Sequence, residues 1–353
     1  MINDNETDRL KVIGRILCVT LILSFIYTHG VHAAVPSVLA ESAILINMRT
    51  GDVIFEKNAD ARRAPASLTK MMTCILGLEA KGLNSEFSVS QAAAATEDSY
   101  LGMKRGERFR SGELMREMMM ESDNGAAVVV AQNVSGSILK FAELMNEKAK
   151  MLGCRKTHFS NPHGLTAKWH YSTARDMSKI AAYCMKNPDF RSLVNNRKSV
   201  IRWSLPSGRT YKAETTNDLL GSYSGANGIK TGWTHAAKGC VAASAKRGGV
   251  ELIAIVMKSK DHQTRFADAR KLLDYGFSLE GKGNVTAGPP VTNFPKRVPE
   301  IRKPGTVNNP VPAVSGANTG TAAGPGKAGP VISSRPTVKS SGIRMPVVRK
   351  PGA

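Results

Sequence analysis

The stretch Pro65-Ala66-Ser67-Leu68-Thr69-Lys70-Met71-Met72-Thr73-Cys74-Ile75-Leu76-Gly77-Leu78-Glu79-Ala80 decides how the rest of the chain is read. Leu68, Met71, Met72, Ile75 and Leu78 recur on one helix face, so the spacing predicts a helix over 67–80, with Gly82 as its stop. Ahead of it, 42–47 and 53–56 read as short strands around Met48-Arg49-Thr50-Gly51-Asp52, a hairpin. Behind it, 112–120, 124–132 and 138–151 keep a helical period, and Thr173 with Asp176 resembles a capping box. Asn187-Pro188 is expected to close the helix that this box opens. From 200 the period changes to two: 200–203, 209–213, 228–233, 240–246 and 251–258 read as strands. Arg247-Gly248-Gly249 turns the last pair, and a helix over about 263–275 follows. Strands at both ends with helices between predict an α/β protein of the α+β type, an antiparallel sheet packed by helices. No internal repeat interrupts the pattern.

The ends of the chain differ from this middle. Arg9, Lys11 and Arg15 precede an apolar run from Ile16 to Tyr27, then Val31-His32-Ala33. That is the layout of a secretory signal over 1–33, with an uncleaved anchor as the alternative. The run is shorter than the about 20 residues of a comfortable membrane span. The net charge of +21 invites a nucleic-acid partner. About half of the excess, however, sits beyond Gly281, where eleven basic residues face only Glu300 in a Pro/Gly/Ser/Thr-rich stretch. No nucleic-acid partner is expected. A disordered tail over 281–353 is expected instead, drawn to anionic envelope surfaces or serving as a solvated linker. The folded unit is then 34–280. Its cysteines lack both metal-site spacing and disulfide density, and Cys74, Cys184 and Cys240 sit in apolar or small-residue runs that suit buried thiols.

The chemistry is carried by Ser67-Leu68-Thr69-Lys70, Ser122-Asp123-Asn124 and Lys230-Thr231-Gly232, in that order. A Ser-x-x-Lys pattern arises about once by chance in a chain this long, whereas Lys-Thr-Gly arises in about one such chain in twenty-five. Ser137-Ile138-Leu139-Lys140 is the chance match here, read as a helix start with Lys140 in solvent. A serine hydroxyl needs a base within hydrogen-bond reach. Residues three apart on a helix share a face, so Lys70 can serve Ser67, provided burial and a second cation such as Lys230 lower its pKa. Ser67 at the start of its helix offers its N–H as half of an oxyanion hole, and the N–H of Trp233 supplies the other half. Gly232 clears space for a substrate backbone laid along the strand, while Lys230 and Thr231 bind its anionic terminus. Ser122 supplies a hydroxyl to relay a proton to the leaving amine, and Asn124 an amide to fix Lys70 and the acyl chain. Asp123 is read as structural, Met118-Met119-Met120 as core, and His163 and His170 as loop residues shaping the cleft.

With these motifs the chain resembles the low-molecular-mass penicillin-binding proteins, specifically the serine D-alanyl-D-alanine carboxypeptidases. The resemblance runs over about 34–277 and includes Asn161-Pro162-His163-Gly164-Leu165, Ser172-Thr173 with Asp176, and Gly228-Ile229-Lys230-Thr231-Gly232. It implies a β-lactamase/transpeptidase-like five-stranded antiparallel sheet with a helical subdomain. It also implies an acyl-enzyme on Ser67, Lys70 as base, Ser122 and Asn124 in relay and positioning, and Lys230 on the substrate carboxylate with Arg265 assisting. The substrate implied is a peptidoglycan stem peptide ending in D-Ala-D-Ala, handled outside the bacterial cytoplasmic membrane or in the periplasm, with β-lactam antibiotics as covalent inhibitors and no metal or organic cofactor. Endopeptidase or transpeptidase action on the same scaffold stays open. A class A-like β-lactamase is the rival, yet no acidic residue lies between Glu147 and Asp176 to activate a deacylating water. The second small β-domain and terminal amphipathic helix frequent in the family are replaced here by the basic tail.

Overall fold

A computed structural model describes residues 34–281; the expected signal, 1–33, and the tail beyond Gly281 lie outside the described residues. The chain opens with β1 (Ser42–Asn47), every residue of which is buried, and turns back as β2 (Val53–Lys57). Asn47 Oδ1 accepts from the N–H groups of Arg49 and Thr50 in the turn, and Gly51 takes φ +81° there. The helix expected over 67–80 is built in two pieces. Ala66–Thr69 forms a 3₁₀ turn, and α1 (Lys70–Lys81) continues from it, burying Met71, Met72, Cys74, Ile75 and Leu78. At its end Gly82 adopts φ +63°.

Short elements follow: β3 (Glu86–Ser88), α2 (Gln91–Ala94) and β4 (Arg108–Arg110). The helical middle is α3 (Ser111–Met120), α4 (Asn124–Ser135), α5 (Ile138–Met151) and α6 (Ala174–Lys186). Ser137 Oγ caps α5 by accepting from the Lys140 N–H, and Lys140 is exposed, which explains the chance motif. Thr173 Oγ1 caps α6 by accepting from the Asp176 N–H at 3.0 Å. The helix closes at Asn187-Pro188 as expected, but a further helix that was not expected starts there. Asn187 ends α6 and at once caps a further helix, α7 (Pro188–Val194), with its Oδ1 accepting from Phe190 N–H. A proline at the first helical position has no N–H to leave unpaired, so it starts this helix as readily as it ends the previous one.

The C-terminal half holds β5 (Lys198–Leu205), β6 (Thr210–Glu214), β7 (Ala226–Thr234), β8 (Lys238–Arg247), β9 (Val250–Ser259) and α8 (His262–Leu279). The expected five-stranded antiparallel sheet has the order β2-β1-β9-β8-β7. β5 and β6 do not join it. They pair with β3 and β4 in a second sheet, order β3-β4-β5-β6. The period-two pattern located those strands but held no information on their partners, and β3 and β4 are too short to show a period.

The large sheet is covered on both faces, so its strands are almost continuously apolar. Ile44, Ile46, Ile253, Ile255 and Met257 face the helices α1 and α3–α7, whereas Ala43, Leu45, Leu252, Ala254 and Val256 face α8 with Leu272, Leu273 and Phe277. Each fully buried Ile, Leu or Phe contributes about 1.5–3 kcal/mol. Gly276 lets α8 settle close, since a Cβ there would lie 2.6 Å from Leu252 Cδ1. This packing leaves β7 as an edge strand, beside the 3₁₀ turn that carries Ser67.

Candidate active site

Ser67 sits on the turn that precedes α1, one turn from Lys70. In a 3₁₀ turn residues three apart eclipse one another, so the two side chains stack directly. Ser67 Oγ and Lys70 Nζ are 2.9 Å apart, with Ser67 partly accessible and Lys70 fully buried. The turn is strained: Ala66, just before the serine, takes φ +48°. Gly164 accommodates it, because a Cβ on Gly164 would stand 1.9 Å from the Ala66 carbonyl oxygen. Strain of this kind costs about 1–3 kcal/mol and persists only where the surroundings enforce it.

Two further acceptors surround Lys70 Nζ, Asn124 Oδ1 at 2.6 Å and the His163 carbonyl oxygen at 2.8 Å. Asn124 Nδ2 donates to the Glu97 carbonyl at 3.0 Å, which orients the amide with its oxygen toward the lysine. A neutral amine has two hydrogens and one lone pair. The two carbonyl-type acceptors take the hydrogens, and the lone pair is left for the Ser67 hydroxyl proton. Burial brings the Lys70 pKa down to about 7, against the opposing pull of the Asp123 and Asp98 carboxylates. Lys230 was expected to be the lowering cation. Instead, desolvation alone suffices for Lys70, and the repulsion between the two amines falls on Lys230.

Ser122 and Asn124 flank the entry to α4. Asp123 is structural, as expected: its carboxylate caps α4 by accepting from Ala126 N–H at 2.6 Å and also holds the N–H groups of Tyr100 and Leu101 at 2.6 and 3.0 Å. Ser122 takes φ +77°, and its Oγ is buried with no hydrogen-bond partner among the described residues. The hydroxyl is therefore not bonded to Ser67, Lys70 or Asn124.

From the other side comes β7. Lys230 is buried, its Nζ 3.0 Å from the Thr231 carbonyl oxygen, and its pKa is held well below the usual lysine value by burial and then by Lys70 and Arg265. Thr231 Oγ1 meets Thr216 Oγ1 at 2.5 Å. Gly232 serves a closer neighbour than expected, because a Cβ there would lie 2.8 Å from the Ser67 backbone nitrogen. Its missing side chain thus lets the strand touch the serine turn. Trp233 is 46% exposed and meets the His235 ring edge-on at 4.8 Å. Arg265 reaches β7 from α8, with Nη1 donating to the Gly232 carbonyl at 2.9 Å.

Several contributors were invisible in the sequence. The His163 carbonyl and Gly164 act through backbone geometry, which residue types do not encode. Glu117 lay beside a methionine run read as core, and it is a buried carboxyl near Lys230, pushed up to about 9 by burial first and then by Glu121 and Asp123. His163 and His170 are neutral scaffold, lowered to about 3 and about 4 by burial, with each Nδ1 accepting from a backbone N–H. The four cysteines described are free thiols, and Cys74, Cys184 and Cys240 are buried.

A serine hydroxyl beside a desolvated amine, a second unpaired hydroxyl, and buried basic side chains on and beside the edge strand β7 suit acyl transfer from a substrate with an anionic end. The family model described as D-alanyl-D-alanine carboxypeptidase matches residues 29–261. D-alanyl-D-alanine carboxypeptidase DacF of Bacillus subtilis is 37% identical over 68% of the chain, and DacA of Escherichia coli 36% over 69%. The chain spans 62% of the length of each of these two relatives. The D-alanyl-D-alanine carboxypeptidase of Streptomyces strain K15 is 34% identical over 69% of the chain and 89% of its own length. Among solved structures, the Streptomyces K15 DD-transpeptidase superposes with a TM-score of 0.67 at 31% identity, covering 70% of this chain and 100% of that one. DacD of Francisella tularensis gives 0.65 at 29% identity, covering 70% and 72%.

Proposed function

The chain belongs to the D-alanyl-D-alanine carboxypeptidase family, and from that membership we propose that it removes the terminal D-Ala from peptidoglycan pentapeptide stems through an ester on Ser67. The observation that carries the reading is the buried Lys70 amine, at about 7 and 2.9 Å from Ser67 Oγ. The neutral amine takes the hydroxyl proton as Oγ attacks the carbonyl of the penultimate D-Ala. Negative charge on the former carbonyl oxygen is met by the N–H groups of Ser67 and Trp233. The C–N bond then breaks, and the proton passes from Lys70 through Ser122 Oγ to the departing amine. Water attacks the ester with Lys70 again as base, releasing the shortened stem and restoring the Ser67 hydroxyl. Lys230, Thr231 and Arg265 hold the terminal carboxylate, and an incoming carboxylate favours the charged form of Lys230 that burial opposes.

Penicillin acylates the same serine in this reading. The groups around Lys70 are a hydroxyl, an amide and a peptide carbonyl, with no second carboxylate in hydrogen-bond contact to drive rapid release. An amine acceptor in place of water makes the product a transpeptide, a second reading favoured by the likeness to the Streptomyces K15 DD-transpeptidase. The signal read over 1–33 makes the protein an exported envelope enzyme. Mass spectrometry of products from a defined pentapeptide tests the scheme. Release of D-Ala by the full chain and none by Ser67→Ala is expected, and an added amine reports the transpeptidase share. Undiminished release by Ser67→Ala would contradict it.

A further inference from the structure

Arg265 does not stand alone. The residue is 5% exposed, and Nη2 donates to His262 Nδ1 at 2.7 Å while Nη1 donates to the Gly232 carbonyl at 2.9 Å. His262 Nε2 in turn lies 2.7 Å from Asp218 Oδ2. The carboxylate fixes the hydrogen on Nε2, so Nδ1 carries the lone pair that Arg265 needs. Arg265 Nε is buried without a hydrogen-bond partner among the described residues. Gly239 makes room for the arginine stem, since a Cβ there would be 3.3 Å from Arg265 Cδ.

From this chain of contacts we infer that His262, held by Asp218, is a positioning residue that aims Arg265 at the carboxylate end of the substrate. The inference rests on the reading of Arg265 as a carboxylate-binding group. Arg265 is a stiff planar fork whose direction is set by what its other nitrogens hold. His262 Nδ1 accepts from Nη2 and the Gly232 carbonyl from Nη1, which leaves Nε as the donor without a partner among the described residues.

Charged and titratable neighbours stand on each side. Asp218, in the segment after β6, holds His262. At the start of α8, Asp261 is occupied as the helix cap with Thr264 N–H, and Lys260 lies beside it at 3.9 Å. Across the arginine stand Lys230 on β7 and Cys240 on β8, the first repelling it and the second buried as a thiol. Phe266 flanks both rings of contact, 5.1 Å from the His262 ring and 5.0 Å from the guanidinium.

The test uses the full chain and D-Ala release from a pentapeptide, with kcat and KM read separately at neutral pH. His262→Phe removes the acceptor and is expected to raise KM about tenfold at neutral pH with little change in kcat. His262→Asn keeps an oxygen where Nδ1 stood. Its KM is expected to stay near wild type. A KM raised in His262→Asn as much as in His262→Phe overturns the inference, as does an unchanged KM in His262→Phe. Arg265→Ala separates the two levels: if it leaves KM unchanged, the carboxylate reading of Arg265 fails, and if it alone raises KM, only the role of His262 fails.

Discussion

At the scale of single residues, the chemistry turns on where one proton resides. An amine at the usual lysine value of 10.5 is neutral in about one molecule in three thousand at pH 7, whereas at about 7 half the molecules carry the free base. Acylation by benzylpenicillin therefore rises about tenfold per pH unit on the acid side and levels off above about 7. The Asp123 carboxylate raises the Lys70 pKa, so Asp123→Asn removes a stabiliser of the ammonium and moves this acid limb to lower pH. Stopped-flow acylation rates measured against pH check both, and an acid limb unmoved in Asp123→Asn counts against the coupling. Ser67, Lys70 and Asn124 were legible because their motifs encode side-chain chemistry at fixed spacing. The third partner of Lys70 was not, because the direction of the His163 carbonyl is a property of a folded loop. Ser122 was legible as a candidate, and its unpaired buried hydroxyl fits a group that waits for substrate.

At the scale of elements, the site is a meeting of three backbones rather than three side chains. The serine turn touches the loop at Gly164 and the strand at Gly232, in both cases closer than any Cβ allows. Gly164 also takes φ +96°, a conformation that side chains resist. Gly164→Ala is expected to cost about 3 kcal/mol or more of stability and to abolish penicillin labelling even in the fraction that stays folded. Chemical denaturation with labelling of the same samples reads both effects. A variant of native stability and full labelling would mean that the Ala66 strain is not enforced by this loop. The long helices were readable because they sustain a 3.6-residue period over three or four turns. β3 and β4, of three residues each, left no periodic trace, and so the second sheet was missed. Asn187-Pro188 was read rightly as a stop, whereas α7 beyond it was missed: a cap and a stop draw on the same residue types, and only the chain beyond shows that one residue serves as both.

At the scale of the whole molecule, the large sheet is covered on both faces and ends at the edge strand β7, beside the serine turn. In the proposed reading an extended peptide pairs with this strand while its end meets Lys230 and Arg265. Placing β5 and β6 in a separate sheet keeps them out of that edge. The net charge of +21 is divided between folded unit and tail, with eleven basic residues beyond Gly281. Removing residues after Glu280 is expected to leave the acylation rate within about twofold and to weaken low-salt association with anionic envelope polymers. Cosedimentation at two salt concentrations measures the second effect, and unchanged association assigns the tail to a linker.

Intact-protein mass spectrometry of the full chain after exposure to benzylpenicillin tests the serine–lysine pair most directly. One persistent penicilloyl adduct, mapped to the peptide that holds Ser67 and absent from Ser67→Ala, is the predicted result. An adduct on another residue, or penicillin consumed in rapid multiple turnover, would contradict it.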